Sequence, residues 1–409
     1  MPAPSRTEHL SSFSNRPPLR LALLFNANKI YDREIVTGIG EHLGTQRLPW
    51  EVIADDDLLC RPRQLQHWDG DGIIADFDDP EIAAILENAR CPVVAVGSSY
   101  INQHHYPENT PYVATDNRAI IHQAISHLLD VGLENLALYS LPPDDRNRWA
   151  LERECAFRTL LEESGMPCEA HQIYRGLPAS ALNWEEAQRK LCAWLRSLPK
   201  PVGIVAVNDA RARHLMHTCL ANDLLIPDEV AVIGIDNDPL TRTLCRIPLS
   251  SVIQGCRQIG NTAARLLLNA VHGHPADHAP ILIPPSGVLA DASTQHKPQR
   301  NPVVRKARSF IRLQAARGIR VEQVASHVGL SRSTLEQLFK RETSHSVHDE
   351  ILNTKLHEAG RLLLEGKLSA QTIAERSGFS SLQYMHTVFK RELGCSPREY
   401  QLKGGRKIS

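Results

Sequence analysis

One pattern is written twice near the C-terminal end of the chain, and that doubling limits what the segment can become. Residues 321–341 read VEQVASHVGLSRSTLEQLFKR and residues 370–391 read AQTIAERSGFSSLQYMHTVFKR. Each copy has a short helical stretch with a small residue at its centre (Ala325, Ala374), then Gly-Leu-Ser or Gly-Phe-Ser, then a second helical stretch closing on Phe-Lys-Arg. Gly329 and Gly378 suit a tight turn between two helices, because glycine takes positive φ without a Cβ clash. Ser331 and Ser380 follow the turns and are placed to cap the next helix. Two helices crossing through such a turn form a helix-turn-helix, whose second helix enters the major groove of DNA. A bundle that merely repeats would not also need this turn chemistry, polar outer faces and a matching charge.

The charge does match. Residues 301–409 hold 19 Lys+Arg and 10 Asp+Glu, a balance of +9, while residues 1–300 hold 27 and 36, a balance of −9. A basic tail sits behind an acidic body, and the tail has the footprint of a phosphate-binding surface. On its two recognition helices the exposed candidates for base contact are Arg332, Ser333, Glu336 and Gln337, and Ser381, Gln383, Tyr384 and Thr387. Arg and Gln pair bidentately with guanine and adenine. Lys340, Arg341, Lys390 and Arg391 are expected on phosphate, with Leu335, Leu338, Phe339, Val388 and Phe389 in the core.

The body follows a different rule. Short apolar runs at 19–25, 72–75, 92–96, 136–139, 203–207 and 230–235 alternate with amphipathic stretches at 118–129, 149–164, 184–198 and 210–222. Such alternation predicts parallel sheets covered by helices on both faces, and some 270 residues favour two lobes over one. The expected organisation is a tail over 1–19, a two-lobed α/β domain over 20–290, a polar linker over 291–302 with two prolines, and an all-α domain with two helix-turn-helix motifs over 303–409.

In open α/β sheets a ligand sits beyond the carboxyl ends of the strands. There the chain places Asn26, Asp76, Asp116, Asn208 and Asp236, with Arg153 near the start of a following helix. Carboxylates and amides at strand ends suit a ligand rich in hydroxyls, although any one of them also suits a helix cap. The body is therefore expected to bind a small polyol.

Other classes are poorly supported. The chain has no phosphate-cradling P-loop, no nucleophile elbow and no zinc HExxH, and the glycines of 38–44 have the wrong spacing for a dinucleotide site. Nine scattered cysteines without a CxxC fit a reducing cytosol, and 19 scattered histidines show no zinc spacing, so neither metal nor cofactor is expected. No apolar run approaches bilayer length. The expectation is a cytoplasmic regulator, not an enzyme.

Residues 373–400, IAERSGFSSLQYMHTVFKRELGCSPREY, resemble the AraC/XylS family of bacterial regulators. They depart from it at Met385, where the family usually has Phe, and at His386-Thr387, where Ser-Arg is common. The first change is tolerable packing; the second removes an arginine from a phosphate or base contact. The body resembles LacI-type ligand domains, related to periplasmic sugar-binding proteins, through VATDN at 113–117, AVNDAR at 206–211, VIGIDN at 232–237, RECAF at 153–157 and SVIQ at 251–254. That resemblance implies effector contacts from Asp116, Arg153, Asn208, Asp236 and Gln254. The domain order, with LLFNANK at 23–29 and IADFDD at 74–79, is similar to xylose-responsive members. It implies D-xylose as effector and a homodimer acting with RNA polymerase on promoter DNA, activating genes of xylose catabolism and transport. A repressor, or a regulator of another pentose or polyol, is the alternative.

Overall fold

The computed structural model describes residues 17–46, 49–53, 68–166, 168–177, 184–274, 278–295 and 301–402. The N-terminal tail expected over 1–19 lies outside these up to residue 16.

The first lobe begins β1 (Leu19–Leu24), α1 (Ile30–Gly44), β2 (Trp50–Ile53), β3 (Gly72–Asp76), α2 (Pro80–Leu86), β4 (Val93–Ser98) and β5 (Tyr112–Thr115). The chain then crosses into the second lobe, with α3 (Asn117–Asp130), β6 (Asn135–Ser140), α4 (Arg148–Glu163), β7 (Ile173–Arg175), α5 (Trp184–Ser197), β8 (Val202–Ala206), α6 (Asp209–Ala221), β9 (Val230–Ile235), α7 (Pro239–Thr243) and β10 (Ser250–Ile253). It returns to the first lobe with α8 (Cys256–Val271) and β11 (Ile281–Ile283), and crosses once more to β12 (Gly287–Leu289).

Each lobe holds a six-stranded sheet, in the orders β11-β5-β4-β3-β1-β2 and β12-β10-β9-β8-β6-β7. All described pairings are parallel except β10 with β12. Strands β3, β8 and β9 are buried along their whole length, as helices on both faces require. The lobes are therefore joined by three crossings, after Thr115, Ile253 and Ile283. Helices α1 and α8 meet backbone to backbone: a Cβ on Gly38 would lie 2.1 Å from Arg257 O, and one on Gly260 2.0 Å from Ile35 O. Of the glycines in 38–44, Gly38 thus serves helix packing.

Residues 291–295, expected to open a linker, instead belong to the second lobe. Ser293 Oγ donates to Val232 O at 2.6 Å, Val232 N donates to Ser293 O at 2.9 Å, and Ser250 Oγ donates to Asp291 O at 2.9 Å. Asp291, Ser293 and Thr294 are buried, Thr294 Oγ1 being hydrogen-bonded to Ser250 Oγ at 2.7 Å, and bonds of this kind are revealed by neither composition nor periodicity. At the other end Pro302 is already helical, with Asn301 as its cap. Residues 296–300 lie outside the described residues.

The all-α unit comprises α9 (Pro302–Gln314), α10 (Val321–Val328), α11 (Arg332–Thr343), α12 (Val347–Glu365), α13 (Ala370–Arg376), α14 (Leu382–Leu393) and α15 (Pro397–Leu402). Helix α12 starts at a capping box, Ser346 with Asp349, and serves two cores. Val347 and Ile351 pack with the first helix-turn-helix, and Leu352, Leu356, Ala359 and Leu363 with the second. Met385, at the family's Phe position, is fully buried there.

Gly329 and Gly378 take φ of +72° and +79°, as their turns demand. Ser331 caps α11, but α14 is capped by Ser381, not by the expected Ser380, because the second helix begins one residue later relative to its glycine. The two turns also differ in surroundings. A Cβ on Gly329 meets nothing within 4 Å, whereas one on Gly378 would sit 2.4 Å from Ala315 O. Gly329→Ala is expected to cost about 1 kcal/mol, from backbone conformation alone. Gly378→Ala should cost at least twice that; equal losses in urea unfolding would remove the contact with Ala315 as a factor.

Candidate functional site

The strand ends of the first lobe bring together a buried acidic group. Asp76, at the end of β3, accepts from Lys29 Nζ at 2.9 Å and from Asp78 N at 3.0 Å. Asp78 accepts from Ser98 N and Ser98 Oγ, both at 2.9 Å, and from the Tyr100 hydroxyl. Asn26 N donates to Asp32 Oδ2 at 2.6 Å, while Asp32 Oδ1 is buried without a partner among the described residues. Burial and the neighbouring charge of Asp76 push the Asp32 carboxyl up to about 8, against the pull of Lys29. Asp76 is raised by burial and lowered again by Lys29, whose own pKa is held above its ordinary value by Asp76 and Asp32 despite burial. One ammonium thus stands against three carboxyls that a ligand's hydroxyls could address.

The hinge carries the second group. Arg153, buried at the start of α4, donates from Nε to Asn117 Oδ1 at 2.9 Å, from one terminal nitrogen to Val207 O at 2.6 Å, and from the other to Gln254 Oε1 at 3.2 Å. Its guanidinium lies over the Trp149 ring, 4.9 Å from the centroid. Gln254, on the second crossing, also accepts from Thr115 Oγ1 at 2.9 Å and donates to Asp236 Oδ1 at 2.5 Å. Residues from both lobes and from two of the three crossings therefore share one hydrogen-bond chain. Burial pushes the Asp236 carboxyl up, Arg153 and Gln254 pull it back, and it settles at about 6.

Of the seven ligand candidates, Arg153, Gln254 and Asp236 are joined directly. Asn26 and Asp76 lie on the facing lobe in the acidic group. Asp116 and Asn208 each cap a helix, accepting from Ala119 N and Arg211 N at 2.9 Å. A cavity of about 310 Å³ opens beside this chain, lined by Asp236, Gln254, Tyr31, Glu34, Asn237 and Ser286 among others. At the cleft mouth the lobes touch through Arg146 and Glu81 at 2.6 Å, Ile101 N and Glu152 at 3.0 Å, and Arg148 over the Tyr100 ring. Lys29, Tyr31 and Asp32 were not singled out from sequence: Lys29 closes the loop after β1 as the residue before α1, and Tyr31 and Asp32 lie in the first turn of that helix. The signal was position: α1 points its first turn at the cleft.

The faces of α11 and α14 present Arg332, Ser333, Gln337, Lys340 and Arg341, and Ser381, Gln383, Thr387, Lys390 and Arg391, all exposed. Some are already engaged. Arg332 pairs with Glu322 at 2.6 Å, Arg391 with Glu392 at 2.6 Å, and Ser381 caps its helix. Glu336 is half-buried, and one of its carboxylate oxygens accepts from Val347 N at 3.2 Å at the N-terminus of α12. Tyr384 is half-buried, edge-on to Phe379. Between the two motifs lies a groove of about 660 Å³, whose walls include the cations Arg317, Arg320 and Lys355, outside the expected set, and His348. It is larger than the cleft cavity, but it lacks the convergent buried polar groups that a small-ligand site needs.

Two hinged α/β lobes enclosing polar side chains, followed by paired helix-turn-helix motifs, define a ligand-responsive DNA-binding regulator. Family models agree in order along the chain: an XylR N-terminal domain over 20–118, a periplasmic binding protein-like domain over 125–294 and a helix-turn-helix domain over 324–403. Xylose operon regulatory proteins of Haemophilus influenzae and Escherichia coli (strain K12) are each 42% identical to it, the first over 94% of this chain and 98% of its own length, the second over 93% and 96%. The solved structure of the xylose-binding transcription activator xylR superposes with a TM-score of 0.86 at 41% identity, covering 95% of this chain and 99% of that one. The chain belongs to the xylose operon regulatory protein family. These relatives are transcription regulators and not enzymes. Among the described residues, no helix is long and apolar enough to cross a membrane.

A carboxyl whose folded pKa is raised costs stability once pH exceeds it, and the cost vanishes below the unfolded value. Asp236→Asn should therefore be more stable than the parent at neutral pH by roughly 1–3 kcal/mol. The gap should close as pH falls from about 6 towards the ordinary carboxyl value of 3.8. Thermal unfolding across that window checks it; a constant gap would remove Asp236 ionisation as the cause.

Proposed function

We propose that this chain is a D-xylose-dependent transcription activator, working as a homodimer in the bacterial cytoplasm on promoters of xylose catabolism and transport genes, in contact with RNA polymerase. The observation that carries it is the chain Arg153–Gln254–Asp236, which joins the lobes at the hinge in a member of this family. A sugar accepting from Arg153 and donating to Asp236 exchanges these internal bonds for its own and alters lobe closure. Asn26 and Asp76 supply the facing hydroxyl contacts, with Asp116 and Asn208 lending their free lone pairs beside their caps. Closure then shifts the dimer between two arrangements of its DNA-binding units. On DNA, Gln337 and Gln383 are the base readers best placed by exposure, with Arg332, Ser333 and Thr387 beside them. Lys340, Arg341, Lys390 and Arg391 hold phosphate.

Calorimetric titration of the full chain with D-xylose, L-arabinose, D-ribose and D-glucose tests the effector. Binding is expected for D-xylose, weakened at least tenfold, about 1.4 kcal/mol, in Arg153→Ala. No heat with any of the four sugars would sink the assignment. In binding to promoter DNA, Lys340→Ala should weaken all sequences alike and lower the salt slope by about one, whereas Gln337→Ala should relax preference at one base position. A transcription assay with D-xylose separates activator from repressor.

A further inference from the structure

The turn that carries Asp236 into the cleft has a second end. Asp236 and Asn237 both have positive φ, +112° and +53°, an unusual conformation for residues with side chains. The turn is pinned by Asn237 N donating to Ser251 Oγ at 2.9 Å and Asp238 N donating to Asp209 Oδ2 at 2.7 Å. Asp238 in turn caps α7, accepting from Leu240 N, Thr241 N and Thr241 Oγ1. Helix α7 is only five residues long, and the Asp238 cap ties its first turn to the residues that follow β9. It carries Arg242.

Arg242 reaches in two directions. One terminal nitrogen donates to Asn237 Oδ1 at 3.4 Å, back into the turn. The other meets Asp291 Oδ2 at 3.1 Å, and both side chains are largely buried. The opposite oxygen of the same carboxylate takes His357 Nε2 at 3.1 Å. His357 sits in α12, the helix that packs against both helix-turn-helix cores. Asp291 itself is fixed to the second lobe through Ser250. Its carboxylate is thus shared between an arginine that rides on the cleft turn and a histidine that belongs to the DNA-binding unit. Among the described residues Arg242 Nε is buried with no partner, so this guanidinium has an unfilled donor as well as a long bond.

We propose that Arg242, Asp291 and His357 form a relay that transmits the arrangement of the Asp236–Asn237 turn to helix α12. The idea rests on the ligand reading above, since it makes the same cleft the input. When the turn shifts, α7 carries Arg242 with it, and the hold of Asp291 on His357 tightens or loosens. Because α12 is common to both motifs, one contact repositions both recognition helices together. The neighbouring buried pair, Arg312 with Asp228 at 2.9 Å, joins α9 to the loop before β9 and contains no residue of the turn. It serves as the pivot, not the signal. Arg242 and His357 are positioning residues: neither is required to touch the sugar or DNA.

Hydrogen exchange of the α12 amides in the full chain tests the relay with two inputs. One is saturating D-xylose. The other is Asn237→Ala, which removes the acceptor that holds Arg242 to the turn and needs no ligand. Each input is expected to change α12 exchange rates at least threefold. His357→Gln and, separately, Arg242→Gln should abolish both responses while leaving the melting transition cooperative and D-xylose affinity in calorimetry within about threefold. A response to Asn237→Ala that survives in either variant overturns the relay, as does the absence of any response to Asn237→Ala in the parent. Lack of calorimetric heat with D-xylose would overturn the sugar assignment alone, and the Asn237→Ala arm would still decide the relay.

Discussion

Arg153 carries a charge that it cannot give up, and it is buried between two lobes. Guanidinium does not deprotonate in proteins, so every donor it brings inside must find an acceptor or exact a desolvation cost of several kcal/mol. The acceptors it finds are Asn117, Val207 and Gln254, drawn from the first crossing, the end of β8 and the second crossing. That requirement ties the hinge to the cleft. It also explains why Gln254, an uncharged side chain with both an acceptor and a donor, sits where it does: it takes from Arg153 and Thr115 on one side and gives to Asp236 on the other. An acid there would pair with Arg153 but repel Asp236; a hydrophobe would strand both.

The lobes show which parts of such a fold a sequence reveals. Strands β1, β3, β4, β6, β8 and β9 are central and covered on both faces, so they appear as continuous apolar runs. The short strands near the crossings do not. Strand β10 is Ser-Ser-Val-Ile, with both serines fully buried, because Ser250 and Ser251 spend their hydroxyls on Asp291, Thr294 and Asp209. Polar residues satisfied in this way look like loop in any reading based on hydrophobicity. The same blindness turned residues 291–295 into a linker. In the cleft, residue type pointed to the right loops but did not separate roles. Asp116 and Asn208 are caps by geometry, while Asp32, inside a helical stretch, is an acid whose pKa burial and Asp76 push up to about 8.

In the C-terminal unit the doubled motif was legible because turn glycines and helix caps are local. What joins the two copies is not. Glu336 looks like any exposed acid on a recognition helix, yet it closes the N-terminus of α12, and His357 reads as a surface histidine until Asp291 is placed opposite. The contact of His357 with Asp291, 66 positions away, leaves no trace in spacing.

The two turn glycines bear on how such a repeat can age. Among the described residues a Cβ at position 329 meets nothing within 4 Å, and a residue able to adopt positive φ, such as asparagine, can occupy it at modest cost. The second turn is pressed against the backbone at Ala315 and Ala316, where no side chain fits. Duplicated halves are therefore free to diverge at unequal rates: the first can lose its signature while still folding, and the second cannot. A search keyed to the turn will recognise descendants of this architecture by their last motif, and will undercount the first.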